Sequence, residues 1–88
     1  MTTNNTRIEI FERLLNNLFN YIREQTGNVL LEKPSTEQAF VFCQMNKRSD
    51  IKRLEQDSMT LLGETANKLS DQDRAKIIRY FQAMCDLV

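Results

Sequence analysis

Thr6–Thr26, TRIEIFERLLNNLFNYIREQT, decides the fold class. Placed at about 100° per residue, Ile8, Ile10, Phe11, Leu14, Leu15, Leu18, Phe19, Tyr21 and Ile22 occupy one arc of about 180°. Glu9, Glu12, Arg13, Asn16, Asn17, Asn20, Arg23 and Glu24 fill the other half. Strand periodicity cannot produce that separation, so 6–26 is an amphipathic helix. An apolar half-circle is wider than the seam of a two-stranded coil, and it asks for neighbours on two sides. Gly27 then supplies the residue that favours a left-handed turn just past a helix end.

Outward from this helix the chain keeps the same character. Asn28–Lys33 is a connector whose Val29-Leu30-Leu31 is too apolar for a solvated loop, and it is expected to lie across an open end of the core. Ser35 with Gln38 three residues on forms a capping box that starts a second helix over 36–47. Ala39, Phe40, Val41, Phe42, Cys43 and Met45 point in every direction on that helix. Such a segment is either central in the core or covered by a partner. A short buried strand over 39–43 is the competing reading, and the capping box favours the helix.

A third amphipathic stretch covers 50–69, where Ile51, Leu54, Leu61, Leu62, Ala66 and Leu69 share a face with Ser58 and Thr65. Two alternatives stand for 36–69: one long helix, or two broken near Asn46–Asp50 with Ser49 or Asp50 as cap. Gly63 is expected to weaken this helix without ending it. Ser70 caps a last helix over 71–87, with Asp71 and Asp73 placed at its positive end. There Ile77, Ile78, Tyr80, Phe81, Met84, Cys85, Leu87 and Val88 cover another half-circle. The expected fold is all-α: one domain over 1–88, a small bundle of three to four helices, completed by homodimerisation because so short a chain buries a limited core.

Charge excludes several roles. The chain has 12 basic and 12 acidic residues and no net charge. Residues 1–27, 28–50, 51–70 and 71–88 each hold three of either sign, without the basic half or tail of a nucleic-acid binder. The only basic cluster, Lys47, Arg48, Lys52 and Arg53, is interrupted by Glu55 and by Asp57 one turn after Arg53. Presentation of Arg48 and Lys52 to nucleic acid is therefore the alternative reading, and nucleic acid is not the expected partner. No apolar run approaches the roughly 20 residues that span a bilayer. Met1–Thr6 has no signal pattern, the Asn4-Asn5-Thr6 sequon lacks a secretory context, and Cys43 and Cys85 read as reduced core thiols; a cytoplasmic location is expected.

Chemistry is sparse. Histidine is absent, which removes the commonest general base and metal ligand. The two cysteines lack zinc spacing, neither glycine belongs to a phosphate loop, and the Glu9/Glu12 pair lies on a polar face beside Arg13. No catalytic residue, metal ligand or cofactor is expected. The apolar excess points instead to a non-enzymatic interaction module, a regulator, inhibitor or adaptor. Phe40, Phe42 and Met45 are its candidate partner-binding residues, and its partner is another protein or a second copy. Large aromatics and Met are the usual anchors of such contacts.

Overall fold

The computed structural model describes the backbone of residues 3–88 and the side chains from residue 6. The start at Met1 and the side chains of the sequon's asparagines lie outside the described residues. Among the described residues four α-helices follow in order: α1 (Thr3–Thr26), α2 (Thr36–Asn46), α3 (Ile51–Leu62) and α4 (Asp71–Asp86), with a 3-10 helix over Gly63–Lys68 between the last two. The described residues contain no strand. The all-α bundle read from the sequence is therefore the fold, and the strand reading of 39–43 falls.

α1 and α4 form the backbone of the bundle and pack against each other, and α2 and α3 both lie on α4. α1 contributes Phe11, Leu15, Leu18, Phe19 and Ile22 to the core, α4 contributes Ile77, Ile78, Phe81, Met84 and Cys85. The buried arc of α1 is narrower than its apolar arc. Ile10 sits at one edge of the half-circle and is exposed; Ile8 falls within the buried arc but near the start of the helix, and is exposed as well, while Leu14 and Tyr21 are half-buried. Each helix start is fixed locally. Ser35 accepts from the Gln38 amide as the Gln38 side chain accepts from the Ser35 amide. Ser70 and Asp73 repeat this arrangement at α4.

The question over 36–69 resolves as two helices. Asp50 has extended backbone and its carboxylate accepts from the Arg53 amide at 2.8 Å, a cap that starts α3 afresh. Gly63 does more than weaken this helix, contrary to the expected continuous helix over 50–69. Its φ of +61° ends α3 at Leu62, a conformation that L side chains resist. The 3-10 turn that follows still buries Thr65 and Ala66, and Leu69 beyond it, so the inward stripe continues through altered geometry. Ile51 and Leu61, expected on that stripe, are exposed.

The connector also departs from expectation. Only Leu31 packs against the core, with its carbonyl accepting from Arg23 Nε at 2.9 Å; Val29 and Leu30 are exposed. Asn28 Nδ2 donates to Thr65 Oγ1 at 2.9 Å and ties the connector to the 3-10 helix. The chain then runs back along α1, where Thr36 Oγ1 donates to the Glu12 carboxylate at 3.0 Å. That return sets α2 beside the N-terminal half of α1.

Candidate functional site: the outer face of α2

α2 is apolar on all sides, so its burial pattern carries the information that composition does not. Ala39, Cys43 and Asn46 face inward, spaced as one stripe of a helix. These are small or compact side chains, and they let α2 approach α4 closely. Asn46 Nδ2 donates to the Phe42 carbonyl at 3.1 Å, while its Oδ1 is buried without a partner. Cys43 lies against Cys85 of α4; hydrogen bonding between the thiols and burial push the Cys43 thiol well above its usual range. Both cysteines are free thiols, and Cys43 is held neutral in the core rather than poised as a nucleophile.

The three partner-binding candidates occupy different environments. Phe42 is half-buried, with its ring centroid 5.0 Å from that of Phe81 at 46°, and it closes the core on that side. Phe40 is at the edge, 36% exposed, its ring meeting Phe11 edge-on at 5.7 Å. It also borders an apolar groove of about 270 Å³ with Ile8, Phe11, Leu87 and Val88, with Arg7 at its rim. Met45 is 72% exposed. Beside it, one helical turn earlier, stands Val41 at 54% exposure. Sequence reasoning passed over Val41, although it lies about 40° from Met45 on the helical wheel.

Val41 and Met45 thus form an apolar pair on the outer surface of α2. Glu37 stands one turn before Val41, and Arg48 follows Met45 just beyond the helix. Lys47 keeps helical backbone angles (φ −59°, ψ −32°), so the chain holds the track of α2 up to Arg48. Glu37 and Arg48 are exposed, and neither forms an ion pair among the described residues. The outer face therefore reads acid, apolar, apolar, base along its length.

On one continuous helix Arg48 and Lys52, the residues of the nucleic-acid alternative, would be neighbours on one face. The structure divides them: Arg48 lies in the turn after α2 and Lys52 in the first turn of α3. Lys52 borders a shallow polar depression with Asp50, Arg53, Gln56 and Asp57, and Arg53 pairs with Asp57 at 3.7 Å, as the spacing predicts. The two aspartates put negative charge where phosphate would approach. Among the described residues no helix is long and apolar enough to cross a membrane, and no group of three acidic or cysteine side chains is gathered as a metal site. Set against known proteins, the chain matches no protein-family model, no curated protein and no solved structure.

Proposed function

We propose that the chain is a non-enzymatic interaction module that docks a protein partner through the outer face of α2, in the cytoplasm. The observation that carries this reading is the exposure of Val41 and Met45 on a helix whose core contacts are already made by Ala39, Cys43 and Phe42. Neither exposed side chain is needed to fill the bundle, and each keeps apolar area in water. Covering it contributes roughly 25 cal/mol per Å². The lack of histidine and the neutral, evenly mixed charge support binding over catalysis and over nucleic-acid contact.

A photo-crosslinking amino acid placed at position 41 or 45 in the native host tests the reading. Adducts are expected at positions 41 and 45 and not at exposed Gln56 on α3. Absence of adducts at both α2 positions, with the protein folded and abundant, would overturn it.

A further inference from the structure

We infer that the outer face of α2 pairs with the same face of a second copy, antiparallel, about a two-fold axis level with Cys43. The inference rests on the docking role proposed above and names its occupant. Val41 and Met45 are the two most exposed apolar side chains of the helix. In antiparallel pairing centred between them, Val41 of one copy lies level with Met45 of the other, and the reverse contact follows from the symmetry. Glu37 comes within one residue rise, about 1.5 Å along the axis, of the level of Arg48 of the second copy. Both charges also lie on the same flank of the Val41–Met45 seam, the flank that antiparallel helices bring together. One face thus carries an apolar centre and two mutually complementary ends, the requirement for an isologous interface.

Charge decides the direction. A parallel pair would carry the charged flanks of the two copies to opposite sides of the seam and leave Glu37 and Arg48 without partners, whereas the antiparallel pair satisfies all four charges and opposes the helix dipoles. A partner chosen at random has no reason to present this pattern in reverse, and the chain itself does. The face is one 11-residue helix long. Its buried area falls at the small end of protein interfaces, so the dimer is reversible, with dissociation in the micromolar range or weaker.

Sedimentation equilibrium of the full chain, from micromolar to millimolar concentration, tests the pairing through two charge reversals. Glu37→Lys replaces both attractive pairs by repulsion between two cations, and Arg48→Glu replaces both by repulsion between two carboxylates. Each variant alone is expected to raise the dimer dissociation constant about tenfold or more. Mixed one to one, they regain the wild-type constant as a heterodimer. The two substituted positions then face each other with opposite charge, while native Glu37 and Arg48 pair on the other side. Circular dichroism confirms that both variants are folded. A wild-type chain that stays monomeric overturns the inference, as does a dimer indifferent to both reversals or a mixture that fails to recover. If the chain is monomeric yet position 41 crosslinks to a protein of different mass, the homodimer falls and the docking role stands. If neither position 41 nor position 45 crosslinks to anything, both fall.

Discussion

Tyr21 and Asp73 stand 52 positions apart, and the Tyr21 hydroxyl donates to Asp73 Oδ1 at 2.8 Å. The same carboxylate accepts from the Ser70 amide through its other oxygen, at 3.2 Å. One side chain therefore caps α4 and ties it to α1. The bond from Tyr21, then that from the Ser70 amide, holds the Asp73 carboxyl below the usual carboxylate range, and the Tyr21 hydroxyl is raised in return. Because the folded pKa is the lower one, the unfolded chain binds more protons between the two values. The stabilisation is complete above the unfolded value of about 3.9 and is lost as pH falls toward the folded value. Tyr21→Phe keeps the ring contact with Tyr80 and the Lys76 ammonium over its face, and deletes only the hydroxyl bond. Thermal melts across the acid range should show the variant losing Tm less steeply than wild type below about pH 4. Identical acid limbs would contradict this. The cap at Ser70 was legible from neighbouring residues; the second partner of Asp73 was not, because no local pattern encodes a contact across 52 positions.

Helix ends and faces show where local reading succeeds and where tertiary packing takes over. The serine caps of α2 and α4 appear as their spacing predicts, since a capping box is closed within four residues. Gly63 is the instructive departure. A glycine within a helical pattern is tolerated at a cost of about 1 kcal/mol relative to alanine, so pattern alone favours continuity. Here it takes φ +61°, and its amide reaches back to the Met59 and Thr60 carbonyls to close α3. Nothing lies within 4 Å of the place a Cβ would occupy, so Gly63→Ala meets backbone strain and no clash. Chemical denaturation should show it destabilised by about 1–2 kcal/mol; a neutral or stabilising effect would mean that α3 continues through position 63. In α2 the wheel gives angles but not the position of neighbours. Its inward stripe includes polar Asn46, while apolar Val41 and Met45 face out, the reverse of a hydrophobic ranking. Small volume at the contact with α4 decides that choice, and residue polarity does not.

At the scale of the molecule, the 24 residues of α1 span about 36 Å and set the long dimension of a body measuring 41 × 27 × 19 Å. So thin a bundle has little interior per residue, which makes its use of apolar side chains telling. The core is complete around α1 and α4 without the outer half of α2. The sequence left two readings of the 39–45 segment, core centre or partner face, and the structure divides it between them. Its inner side belongs to the core, its outer side to solvent, and the outer side is what we propose a partner covers. The double variant Val41→Gln, Met45→Gln separates these roles most directly when its stability at high dilution and its association at high concentration are measured together. This division of α2 predicts stability within about 0.5 kcal/mol of wild type, as for other surface substitutions, and loss of association. A fall in stability of about 2 kcal/mol or more, on the order of an emptied core position, or association unchanged from wild type, would contradict it.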